Sequence, residues 1–310
     1  MVEPVLIESK EADLNDLAEC IRVENNDNHI SPDYLHWWFF ENPSKSFSLW
    51  HGEFDGKVVG LACTNNFIVK TKQGNAVAAM PQKVLTSRTM RGKGLFGKLY
   101  AQTEKSNLEN GVDFFLTITN EASTPIFLKK FGYARGMCPE IILVFSNPKY
   151  FLKNATYEEL SSLPEVPDQP SSKNEFVKSG EYFKWRYARA SNDGTIFLAV
   201  KEKSGELAGF AVLKKIYKQR LPLYVLLDSI VVLPEKRSRI IEESMIYVTR
   251  KFGLGLLALE TQSNKNVWRR FFHRRIKDRF NFLVKGKDES HTKTIAETKW
   301  DFSFGDMDFI

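Results

Sequence analysis

A chain of 310 residues, 43% hydrophobic and 26% charged, has a globular composition and the length for two domains of ordinary size. Cys20, Cys63 and Cys138 lie far apart, with no C-x-x-C pair and no metal-ligand spacing toward the five histidines, so neither a disulfide framework nor a zinc site is implied. A formal charge of +6 suits an anionic ligand without deciding among a coenzyme, a nucleotide sugar and a nucleic acid. The acidic stretch from Met1 to Asp13 lacks the basic and apolar regions of a signal peptide, and apolar runs such as Leu223 to Leu227 fall far short of the roughly 20 residues that span a bilayer. The expectation is a cytoplasmic protein with no membrane partner.

Val5 to Glu8 reads as a strand, and Leu14, Leu17, Ala18 and Ile21 then recur at helical spacing. Ser31 and Pro32 suit the cap and first turn of a second, strongly aromatic helix, Tyr34 to Phe40. Phe47 to His51 and Lys57 to Val69 read as strands joined at Asp55-Gly56, and Val77 to about Ser87 as a third. A glycine-bearing loop, a helix from Leu95 to Glu109, a buried strand Phe114 to Thr119, a helix Ser123 to Lys130 and a strand Ile141 to Phe145 follow.

The stretch PEVPDQPSSKNE from Pro164 to Glu175 has the composition of a linker. Beyond it the order recurs: Tyr34, Trp37 and Phe39 match Tyr182, Trp185 and Tyr187 at one offset, and Gly56 and Gly60 match Gly205 and Gly209 at nearly the same one. The predicted organisation is a domain over 1–147, a linker over 148–175 and a second copy over 176–310.

Chemistry concentrates in Arg91-Gly92-Lys93-Gly94-Leu95-Phe96, between a strand and a helix. Glycines there allow a tight turn that leaves N–H groups outward at the positive helix end, a fit for a pyrophosphate. On these residues the chain resembles the GNAT superfamily of acyl-CoA transferases, whose loop reads Q/R-x-x-G-x-G/A. Arg91 and Gly94 match, and Phe96 departs from the final small residue. Asn120-Glu121-Ala122-Ser123 through Phe131-Gly132-Tyr133 is similar to the strand, helix and turn that follow in that family. The resemblance covers residues 1 to about 147 and reaches the remainder only through the repeat.

It implies an α/β fold of two GNAT-like domains in tandem, each a mixed, largely antiparallel sheet flanked by helices. It further implies acetyl-CoA as acyl donor, pantetheine pairing at Leu85 and Thr86, and a coenzyme contact from Asn120, whose alternative role is a helix cap. The tyrosine that many members use to protonate the leaving thiolate falls at Leu128, which has no proton to give. Candidates for a general base are Glu121, Glu140, Asp306 and Asp308, the last two sharing a side if the alternating Trp300 to Phe304 is a strand. The second copy places Arg237 at the position of Arg91 and β-branched Ile240 at that of Gly94, which predicts a degenerate copy that does not bind CoA.

Asn264 to Arg274 reads as a helix, and the stretch to Arg279 mixes Lys265, Arg269, Arg270, Arg274, Arg275, Lys277 and Arg279 with Trp268, Phe271 and Phe272. A core stripe with a solvated face is favoured there over a nucleic-acid surface. The aromatic helix and the final W-x-F-x-F-G-D-x-D pattern are similar to long GNAT proteins of bacterial surface-polysaccharide synthesis, which implies a small-molecule acceptor, an amino sugar or nucleotide sugar first and a peptide or amino acid next. The alternatives are a non-catalytic acyl-CoA sensor and a nucleic-acid-binding module.

Overall fold

The computed structural model describes residues 3–26, 29–169, 174–189, 194–232, 234–261, 264–276 and 281–307. The chain runs β1 (Val5–Glu8), α1 (Leu14–Asn25), α2 (Pro32–Phe39), β2 (Phe47–Phe54), β3 (Lys57–Thr71), β4 (Gly74–Thr86), α3 (Leu95–Glu109), β5 (Phe114–Thr119), α4 (Thr124–Lys130) and β6 (Ala134–Arg135). It continues through β7 (Glu140–Phe145), β8 (Tyr157–Leu160), β9 (Glu175–Phe176), α5 (Gly180–Arg186), β10 (Thr195–Lys201), β11 (Leu207–Lys218) and β12 (Leu221–Val231). Last come α6 (Arg237–Arg250), β13 (Gly255–Glu260), α7 (Lys265–Trp268), β14 (His273–Ile276), β15 (Asn281–Gly286) and α8 (Glu289–Ala296).

Two compact units result, one of Met1–Met137 with Phe280–Thr298, the other of Cys138–Arg279 with Lys299–Ile310. In the first, strands lie in the order β1-β2-β3-β4-β5-β15-β6; in the second, β8-β10-β11-β12-β13-β7-β14. Each sheet is antiparallel except at one central pair, β4 with β5 and β12 with β13. The α/β class and the tandem of mixed sheets flanked by helices are as expected.

The division of the chain differs from 1–147, 148–175 and 176–310. β7 pairs with β13 and β14 in the second sheet, and β15 pairs with β5 and β6 in the first. Each sheet therefore completes itself with a strand from the other stretch of chain. The expected linker contains β8, which edges the second sheet against β10. A short apolar strand such as Ile141 to Phe145 says that it is buried, but nothing in it names its sheet.

Capping and close packing repeat between the units. Ser31 Oγ accepts the Tyr34 N–H at 3.1 Å to start α2, and Ser179 Oγ accepts the Tyr182 N–H at 3.1 Å to start α5. A Cβ on Gly60 would lie 3.3 Å from Leu99 Cδ1, and one on Gly209 2.7 Å from Ile240 Cδ1, so both glycines let a helix settle on its sheet. The caps correct the register of the second loop: Lys236, with φ −86°, stands before α6 where Gly94 stands before α3, and Ile240 lies buried inside the helix.

Two further expectations change. Asn264 to Arg274 is not one helix: α7 is a single turn that sinks Trp268 into the core, after which β14 joins the sheet edge. Lys277 and Arg279 lie outside the described residues. Trp300 to Phe304 is not a strand but an isolated bridge at Asp301 and a 3-10 turn over Phe304–Asp306, with Trp300, Phe302 and Phe304 buried.

Candidate functional site

In the first unit the parallel ladder between β4 and β5 holds only Ala78 to Phe114 and Ala79 to Phe115. Beyond it the strands part, with Thr117 Oγ1 donating to the Pro81 carbonyl at 3.3 Å as a side-chain link across the start of the opening. β4 also bulges where its register with β3 shifts between Leu61 and Cys63, and Lys83 adopts a left-handed φ of +48° there. Bulges and left-handed non-glycine residues concentrate beside functional sites. The aromatic α2 braces this point: Trp38 Nε1 donates to Gln82 Oε1 at 2.7 Å, and Lys83 Nζ lies 5.4 Å from the Tyr34 ring centre. Leu85 and Thr86 end the strand, paired to Leu61 and Gly60 of β3, so their other edge faces the opening. The Thr86 hydroxyl is buried without a hydrogen-bond partner among the described residues.

The loop that follows is clamped from behind. Arg91 Nε donates to the Thr86 carbonyl at 3.2 Å, its guanidinium lies 3.6 Å from Glu24, and the Arg88 N–H donates to the same carboxylate at 3.1 Å. Gly92 and Gly94 have φ of +78° and +80°, and a Cβ on either would meet nothing within 4 Å. Backbone conformation, not crowding, is what requires glycine at both. Gly94 caps α3, whose first N–H groups have no acceptor inside the helix.

Phe96 explains its own departure from the family pattern. Its ring turns inward, stacked at 6.0 Å on Tyr100 and edge-on to Phe131 at 5.6 Å, so its backbone stays at the helix start. Leu95 is likewise buried, while Lys93 is exposed. A Cβ at Gly97 would collide with Lys130 Nζ, which places an exposed ammonium from α4 over the first turn of α3. Sequence reasoning missed Lys130, and its only trace there is a small residue one position after Phe96.

Asn120 stands at the end of β5, exposed, with Oδ1 accepting the Ser123 N–H at 2.9 Å and its carbonyl accepting the Thr124 N–H at 3.0 Å. It holds the turn that leads into α4, whose cap residue is Ser123. Glu121 is exposed in the following turn, and Leu128 packs its side chain against the core.

The other base candidates belong to the second unit. Glu140, on β7, pairs with Arg275 at 2.5 Å in an exposed position. Asp306 is buried and its oxygens are filled: Lys178 Nζ at 2.8 Å, Tyr182 Oη at 3.1 Å and the Ser303 N–H at 2.8 Å. Burial pushes its carboxyl up, neighbouring Asp228 adds to this, and Lys178 opposes it. For Lys178 burial alone would lower the ammonium, but Asp228 and Asp306 hold it above its ordinary value. This cluster lines a cavity of about 90 Å³ beside the parting of β12 and β13, together with Arg237 and the tail residues Phe302 to Phe304. These partners tie the tail at Asp306 to α5 and to Lys178. Asp308 lies outside the described residues.

No family profile matches the chain, and no characterised protein matches it by sequence. Solved structures do match. A GCN5-related N-acetyltransferase from Anabaena variabilis superposes with TM-score 0.65 at 8% identity, over 95% of this chain and 75% of that one. One from Kribbella flavida gives 0.64 at 12% identity, over 95% and 74%. The N-myristoyltransferase of Saccharomyces cerevisiae, solved with bound myristoyl-CoA, gives 0.59 at 10% identity, over 97% and 90%. The likeness extends over nearly the whole chain and establishes the fold that its sequence resembles.

Proposed function

We propose that this chain transfers an acetyl group from acetyl-CoA to a small-molecule amine, and that the coenzyme binds the first unit along β4 and the start of α3. The observation that carries this reading is the pair of left-handed glycines, Gly92 and Gly94, between a parting strand and a helix start with no side-chain cap. Bound there, acetyl-CoA would supply the activated thioester, with CoA thiolate as the leaving group. The N–H groups of α3 and the Lys93 and Lys130 ammonium groups hold the pyrophosphate, while the β4 edge at Leu85 and Thr86, whose Thr86 carbonyl Arg91 already contacts, and the Thr86 hydroxyl hold the pantetheine arm. Asn120 contributes the part of its amide that its bonds to Ser123 leave over. The general base is assigned to Glu121, the one carboxylate of the candidate set that lies in this unit and outside an ion pair with a described residue. With Leu128 in the acid position, the thiolate takes its proton from solvent.

The test is acetyl-CoA consumption against a panel of amino sugars, nucleotide sugars and amino acids, with an amino sugar first on the strength of the sequence resemblance. Turnover that Glu121→Gln lowers, with the acidic limb of the pH profile removed, supports the assignment. Tight CoA binding with no turnover across the panel favours an acyl-CoA sensor, the reading that apolar Leu128 supports. A cytoplasmic setting is part of this proposal, consistent with three free cysteines of which Cys20 and Cys63 are buried. Among the described residues no helix is long and apolar enough to cross a membrane.

A further inference from the structure

The second unit carries an apolar cluster that its own fold leaves uncovered. Leu152 is 89% exposed, Phe252 80% and Phe272 77%, with Phe151 and Leu254 about half as much. They gather at one end of the second sheet, where β7 ends and β13 and β14 begin. The Phe145 N–H donates to the Phe272 carbonyl at 3.1 Å, the Ser146 N–H donates to that of Leu254 at 3.2 Å, and the Phe151 and Phe252 rings lie 5.8 Å apart. Contiguous exposed apolar surface of this kind marks an interaction site.

Phe252 shows that the exposure is not incidental. It follows the cap of α6 with φ +55°, and the Gly253 N–H closes on the Val248 carbonyl at 2.8 Å. At this position helices ordinarily end on glycine, because a bulky residue resists the left-handed conformation. Here the strained position displays a phenyl ring to solvent. Around the patch stand exposed Lys149, Arg269, Arg270 and Arg274, and at its rim Lys153 and Lys251, paired with Glu242 and Glu159.

We infer that this face docks the protein on an anionic lipid surface. Apolar tips from three separate turns would enter the headgroup boundary while the surrounding basic side chains meet lipid phosphates. A second copy of the chain would set the same positive ring against itself. A nucleic acid would use the phenyl rings for stacking but gains nothing from Leu152 and Leu254. The inference revises the expectation of no membrane partner, and it does not rest on the acyltransferase reading.

The experiment is co-sedimentation of the full chain with phosphatidylcholine vesicles, with and without phosphatidylglycerol. Binding should require phosphatidylglycerol and weaken as salt rises. Phe252→Gly should reduce it about tenfold while melting no lower than the parent, since glycine relieves the left-handed strain. Arg270→Gln with Arg274→Gln should remove the preference for anionic vesicles. The inference is overturned if the chain ignores anionic vesicles at low salt, or if Phe252→Gly leaves binding unchanged. A concentration-dependent dimer that Phe252→Gly dissolves, or salt-sensitive RNA binding without vesicle binding, overturns it in favour of those partners.

Discussion

Single residues in the first loop do separable jobs, so each can be removed on its own. At Gly94 the open space around a Cβ means that a substitution acts through φ +80° and through the approach path above the helix. Gly94→Ile places a β-branched residue in a conformation that costs an L-residue about 1–2 kcal/mol. Calorimetry should show CoA affinity down at least about tenfold with the far-UV spectrum retained; unchanged affinity would move the site elsewhere. Lys130→Met removes one exposed positive charge from the first turn of α3. Affinity should fall severalfold at low salt and converge on the parent at high salt, because an exposed ammonium is screened. Of these two residues only Gly94 was legible in the sequence. A glycine before a helix is a local signal, whereas Lys130 reaches Gly97 from another helix, a relation that spacing does not encode.

At the level of elements, the strand that closes the first sheet depends on buried charge. Lys285, on β15, pairs with Glu104 of α3 at 2.7 Å and lies 5.9 Å from the Tyr133 ring centre, while Glu104 Oε1 is buried without a partner among the described residues. Burial raises the Glu104 carboxyl against the pull of Lys285. Lys285→Met should therefore leave a buried carboxylate uncompensated and destabilise the protein by about 3 kcal/mol near neutral pH. A carboxyl whose folded-state pKa is raised binds protons more tightly in the folded state, so its contribution to stability falls as pH rises through that window. The deficit of Lys285→Met in chemical denaturation should shrink as pH is lowered and Glu104, its carboxyl raised by burial, takes up its proton. A deficit independent of pH would mean that Lys285 acts through packing alone. The strand itself escaped the sequence reading. Asn281 to Gly286 is six residues without a flanking hairpin, and pairing across 162 positions to Thr119 leaves no periodic trace. β2 and β3, by contrast, announce themselves through Asp55-Gly56, because they are neighbours in the chain.

Over the whole molecule, the exchange of β7 and β15 decides where the chain can be cut. A break in the 148–175 stretch, where composition alone puts a linker, would leave the N-terminal fragment with β7 and without β15. Its β5 would lose Phe282 to Lys285 as cross-strand partners and expose a buried, apolar edge. Unpaired edges of this kind aggregate. The fragment 1–147 should therefore be poorly soluble, without a cooperative melt and without CoA binding. The fragment 1–137 joined through a short flexible linker to 280–298 restores the β5-β15-β6 order and the Lys285–Glu104 pair. It should melt cooperatively and bind CoA with the affinity of the full chain, because Gly92, Gly94, Thr86 and Lys130 all lie within it. Thermal melts and calorimetry on the two fragments check both halves of this expectation. If 1–147 folds and binds as well as the joined fragment, β15 is dispensable to the first sheet and the composition-based boundary is the functional one. If the joined fragment folds but does not bind, the coenzyme site needs residues of the second unit, and the assignment to the first unit alone is wrong.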